Sequence, residues 1–135
     1  MANIHHSAAS LRIIGDTLIP DEISEVLGSA PTKSHVKGEH LRTTKSGEMK
    51  FAKFGMWNLK ASRAEPENIN HQINEILTKL TTDIPIWLAL SKKYKIELFC
   101  GLFMQTENDG LSISPLILTE IGSRNIELSF DIYSS

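Results

Sequence analysis

Hydrophobic and polar positions alternate most cleanly near the end of the chain, where Ile126, Leu128, Phe130 and Ile132 interleave with Glu127, Ser129, Asp131 and Tyr133. Successive side chains of a strand point to opposite faces, so this run predicts a central or near-central strand with those four apolar residues buried and the other face wet. Residues 54–62 alternate too, with Trp57, Leu59 and Ala61 set against Asn58 and Lys60. The branched run at 10–15 predicts a short first strand, and residues 96–105, apolar at odd and even positions alike, predict a central strand covered on both sides or by helix and partner.

Between the strands the period lengthens to that of a helix. Ile69, Ile73, Ile76, Leu77 and Leu80 share one side of a predicted helix that begins after Pro66, while Gln72, Asn74, Glu75 and Lys79 occupy the other. Asp83 opens a second helix that buries Trp87, Leu88 and Leu90 and ends at Lys92 and Lys93, where cations suit the negative helix terminus. Two shorter helices echo each other: Leu18-Ile19-Pro20 runs to Gly28-Ser29, and Ile113-Ser114-Pro115 runs to Gly122-Ser123. Proline suits the first helical position because its missing N–H has no partner there anyway, and glycine suits the left-handed turn just past the end. Residues 32–37 predict a short edge strand, and residues 38–52, which lack periodicity, predict a long basic loop or a hairpin around Ser46-Gly47.

This order of elements places helices on one face of a mainly antiparallel sheet, because a strand with a polar face is not covered twice. The expected fold is α+β: a two-layer, ferredoxin-like sandwich in which the echoed segments mark an internal pseudo-repeat. The 135 residues, 41% apolar and 22% charged, suit a single domain spanning 1–135. Residues 1–7 are expected to be disordered, and they lack the basic start and apolar run of a secretory signal. No apolar run approaches the roughly 20 residues of a membrane helix, so a cytoplasmic location with no membrane association is expected. Cys100 stands alone among Leu98, Phe99, Leu102 and Phe103, which suggests a buried thiol.

Several of these segments, taken in order, carry a family resemblance: Ser10-Leu11-Arg12-Ile13-Ile14-Gly15, Pro20-Asp21-Glu22-Ile23 to Leu27-Gly28, Pro31-Thr32-Lys33-Ser34 with Lys37-Gly38, Trp57 in its strand, and Asp131-Ile132-Tyr133. Together they resemble the mainly bacterial domain of unknown function 4279 family (DUF4279) over residues 8–133. The resemblance implies a small cytosolic bacterial α+β protein and transfers no catalytic residue. This chain departs from the family pattern by a longer, more basic stretch before Trp57.

Motifs for chemistry are sparse. His35, Glu39 and His40 form the one local metal-type cluster, but their spacing fits no His-x3-His motif and no cysteine is near, so no metal is expected. A nucleophile elbow and a phosphate-cradling glycine loop are both missing, and turn and helix-dipole roles account for Asp16, Asp21 and Glu22. No catalytic residue, no cofactor and no enzymatic activity are expected. Charge is the informative feature: residues 31–63 hold eight basic residues against two acids, a net of +6, while the rest of the chain carries −8. The expected partner- or anion-binding residues are Lys33, Lys37, Arg42, Lys45 and Trp57. The alternative is a solvated loop that balances an acidic body, with Trp57 a core anchor in phase with Leu59 and Ala61. The expectation is a non-enzymatic binding module of the immunity or adaptor type whose partner is another protein, nucleic acid being disfavoured at a pI near 6.2. The runner-up is a regulatory domain that senses a small anionic metabolite.

Overall fold

The computed structural model describes residues 2–134. Along the chain the elements are β1 (Ala2–Asn3), β2 (His6–Gly15), α1 (Pro20–Leu27), β3 (Lys33–His35), β4 (His40–Thr43), β5 (Met49–Phe51), β6 (Gly55–Lys60), α2 (Ile69–Thr78), α3 (Ile84–Lys93), β7 (Lys95–Phe103), β8 (Asp109–Gly110), α4 (Pro115–Ser123) and β9 (Glu127–Tyr133). Five strands form the main sheet in the order β3-β6-β2-β7-β9, antiparallel throughout except between β7 and β9. The first four have the ferredoxin-like order, and α4 adds β9 outside them. The fold is therefore the expected α+β sandwich. Both echoed helices join strands that run the same way: α1 links β2 to β3 with β6 inserted between them, and α4 links β7 to its direct neighbour β9.

Register explains how the core assembles. Leu11 lies opposite Leu59 on one side and Leu98 on the other, and Ile13 lies likewise between Trp57 and Ile96. All six are buried, and they meet Ile23 and Leu27 of α1, Ile69, Ile73 and Ile76 of α2, Trp87 and Leu90 of α3, and Ile117 and Ile121 of α4 in one continuous cluster. The buried indole N–H groups are satisfied: Trp57 Nε1 donates to Ser24 Oγ at 3.0 Å and Trp87 Nε1 donates to the Thr81 carbonyl at 2.8 Å. Gly55 is required by close approach, since a Cβ there would lie 2.8 Å from the Gly15 carbonyl and 2.9 Å from that of Leu18.

Four expectations are corrected. The last strand is an edge strand, so although Leu128 packs on the core, Phe130 is 41% and Ile132 61% exposed, beyond the reach of the helix layer. Strand β7 has a helix layer on one face alone; Phe99 and Phe103 lie half-buried on the open face, shielded by side chains of neighbouring strands. Of residues 1–7, Met1 lies outside the described residues, while Ile4 and Ser7 are buried in the body and β2 begins at His6, four residues before the expected start. Finally, Gly122 falls inside α4, and the left-handed residue past that helix is Asn125, whose short polar side chain tolerates φ of 57°. Gly28 ends α1 in the left-handed conformation as expected.

Candidate functional site

Two surfaces outside the core gather side chains with chemistry. The first is an arm. The β3–β6 pairing continues past the sheet through hydrogen bonds from Gly38 N to the Ala52 carbonyl and from Ala52 N to the Glu39 carbonyl, both 2.8 Å, and then through the two-stranded β4–β5 sheet. Gly47, at φ of 89°, turns the tip, and Thr44 Oγ1 accepts from Glu48 N. Every residue of β4 is exposed, as expected for a ribbon with no second layer. Arg42 lies directly opposite Lys50, an arrangement of like charges that destabilises a ribbon and concentrates positive potential. Glu48 meets Lys50 at 2.8 Å and relieves part of it. Beside these cations a cleft of about 250 Å³ lies between Leu41, Phe51 and Phe54, with His35 at its base and Arg42, Lys50 and Lys53 around it. His35 is 7% exposed and its Nδ1 has no hydrogen-bond partner in the structure.

The second surface is the open face of the sheet. Here His6, Phe103 and Tyr133 lie side by side in register and stack, with centroids 4.1 Å and 4.6 Å apart and planes within 10° of parallel. Two layers along, the Arg12 guanidinium sits 3.8 Å over the Phe99 ring, and Glu97 approaches Arg12 at 3.8 Å. Between the aromatic layers, Ala8 and Gly101 pair across the strands and leave a groove of about 280 Å³, bordered by Ser10, Arg12, Asn58 and Lys60. Tyr133 donates its hydroxyl to Asp131 at 2.5 Å, which holds the phenol pKa above its ordinary value. His6 is held below its ordinary value, chiefly by loss of hydration and further by the Arg63 and His5 charges.

The predicted site residues separate. Lys37, Arg42 and Lys45 run along the arm from base to tip, and Lys37 Nζ lies 3.4 Å from Asp16 Oδ2. Lys33 stands on the edge strand β3 opposite Asn58. Trp57 is fully buried with its N–H bonded to Ser24, which removes it from any surface contact. His35, Glu39 and His40 do not converge, since His35 packs beside Phe54 and His40 Nε2 lies 3.1 Å from Thr43 Oγ1. Burial pushes the Cys100 thiol up to about 12. Sequence reasoning missed the open-face groove, although the apolar residues on both faces of β7 were its signal. Lys50 and Lys53 belong to the basic segment legible in the sequence, where they interleave with Phe51 and Phe54, but they are not among the expected binding residues.

A family model described as "Domain of unknown function (DUF4279)" matches residues 3–135. No curated protein and no solved structure matches the chain. Among the described residues no helix is long and apolar enough to cross a membrane.

Proposed function

We propose that this chain, which belongs to the DUF4279 family, is a non-enzymatic interaction module of the bacterial cytoplasm that engages an acidic face of another protein through its β4–β5 arm. The observation behind this reading is the cleft between Leu41, Phe51 and Phe54, ringed by Arg42, Lys50 and Lys53. Exposed apolar side chains supply contact area, and the surrounding cations select an acidic rim and speed encounter. An arm standing clear of the core can make such a contact without rearranging the fold. The test is capture by the full chain compared with an Arg42→Glu/Lys45→Glu variant. Reversal of exposed charges is expected to move the melting temperature by no more than about 1–2 °C, while the captured partner is lost from the variant and eluted from the wild type by salt. A partner held equally by the variant and at high salt overturns the proposal.

The open-face groove favours a second reading, in which the domain senses a small anionic metabolite. Stacked rings accept a planar group, and Arg12 and Lys60 at the border accept its charge. Equilibrium dialysis against a cell metabolite extract, read by mass spectrometry, is expected to enrich an anion with wild type and not with Arg12→Gln. Equal enrichment by both excludes this groove.

A further inference from the structure

The two edges of the sheet differ in kind. On one side β3 pairs over three residues, opens with Lys33 and runs on into the arm. Short edges and edge lysines are devices that prevent another chain from adding to a sheet. On the other side β9 is seven residues long with no lysine, proline or bulge, and among the described residues it pairs only with β7. Its outer face toward the helices carries Phe130 and Ile132, 41% and 61% exposed.

The backbone polarity of this edge can be read directly. Met104 N donates to the Tyr133 carbonyl at 3.0 Å, so Tyr133 and the other odd-numbered residues of β9 turn their peptide groups toward β7. Leu128, Phe130 and Ile132 therefore offer an N–H and a C=O each to the open side. From these features we infer that β9 pairs antiparallel with β9 of a second copy of this chain, joining two sheets into one.

Charge selects the register. A two-fold axis at Phe130 sets Phe130 opposite the partner's Phe130, Leu128 opposite the partner's Ile132, Glu127 opposite the partner's Tyr133 and Ser129 opposite the partner's Asp131. All the free peptide groups pair, the exposed apolar side chains cover one another, and no acid faces an acid. Moving the axis to Ser129 places Glu127 against the partner's Asp131, and moving it to Asp131 places that carboxylate against itself; both are disfavoured because like charges directly opposite destabilise a pair. Helix layers stay on one side of the joined sheet in this register, since even-numbered residues face even-numbered ones.

Sedimentation velocity on the full chain tests the inference. Wild type is expected to sediment with twice the mass of one chain, and Phe130→Lys, which changes an exposed position, with the mass of one chain and an unaltered circular dichroism spectrum. Cross-linking then checks register independently of that variant's folding. In a Cys100→Ala background, which removes the thiol in register with position 130 on β7, Phe130→Cys places two thiols on a hydrogen-bonded pair whose Cα atoms are about 5.5 Å apart, within the roughly 4.4–6.8 Å that a disulfide spans, so oxidation is expected to join the chains. Glu127→Cys is expected to stay unjoined, because at about 3.4 Å per residue its two copies lie roughly 20 Å apart. A monomeric wild type, including one whose β9 edge takes up a strand from a different protein, overturns the inference. So does a dimer that survives Phe130→Lys, or Glu127→Cys cross-linking as readily as Phe130→Cys.

Discussion

At the scale of single residues, the buried polar groups are the most informative. Gln72 falls on the polar side of the helical pattern, yet it is 1% exposed. Its Nε2 donates to the carbonyls of Ser7 and Ser62, both at 2.9 Å, and its Oε1 accepts from Ser7 Oγ at 2.6 Å, tying α2 to the start of β2. Periodicity misassigns such a residue because it registers side-chain polarity and not the partners that folding brings from 65 positions away. Replacing Gln72 with Leu is expected to cost about 1–3 kcal/mol, since the buried Ser7 hydroxyl loses its acceptor and the Ser7 and Ser62 carbonyls each lose one donor; denaturant unfolding measures it. Trp57, in contrast, follows its alternating pattern into the core, and Trp57→Ala is expected to cost about 3–5 kcal/mol. Leu41→Ala on the arm, already 44% exposed, is the near-silent control. Cys100, with its thiol pushed up to about 12, should resist alkylation at pH 8 until denaturant is added. Labelling of the native chain at the rate of a free thiol would mean that Cys100 is not buried as described.

At the scale of elements, helix ends and close strand contacts set what the sequence tolerates. Ser114 Oγ accepts from Ile117 N and caps α4, so Ser114→Ala is expected to lose about 1 kcal/mol. Helix α1 starts at Pro20 with Ile19, an extended and half-exposed residue without a capping oxygen, in the equivalent position. Ile19→Ser should accordingly raise stability by up to about 1 kcal/mol; thermal melts of the two variants should move in opposite directions. Asp83 occupies the corresponding position of α3 but makes no side-chain capping bond. Gly55→Ala should destabilise by about 1–3 kcal/mol, because the added methyl meets backbone carbonyls that cannot turn aside. These differences were partly legible: proline and serine marked helix starts locally and Gly28 the end of α1, whereas the crowding at Gly55 exists only once β6 lies beside the turn into α1.

At the scale of the whole molecule, charge and proton binding act together. His6, Glu65 and Asp109 are held below their ordinary values of 6.5, 4.5 and 3.8: His6 chiefly by lost hydration, Glu65 by its hydrogen bond from Arg63, and Asp109 by the Thr106 hydroxyl. A group whose value is depressed on folding leaves the unfolded chain with more protons, so its contribution is present above the ordinary value and lost as pH falls. Cys100 and Tyr133 are raised from 9.0 and 10.0, Cys100 by burial and Tyr133 by its bond to Asp131, and their contributions are lost as pH rises beyond those values. The melting temperature is therefore expected to hold near neutrality and to fall on both sides, first below pH 6.5 and later above pH 9; a profile flat from pH 4 to 8 would contradict the acid limb. The sequence alone determined the helix and strand periods, the proline starts of α1 and α4, the glycine end of α1, the order of the main elements and the charge contrast between residues 31–63 and the remainder. Those features depend on a residue and its near neighbours in the chain. Tertiary structure decided that β9 lies at an edge with Phe130 and Ile132 uncovered, that the basic segment stands out as an arm, and that Phe99, Phe103, Tyr133 and Arg12 share a groove. Strand order and the reach of the helix layer fix which faces are covered, and both arise from contacts between residues far apart in sequence, to which local periodicity is blind.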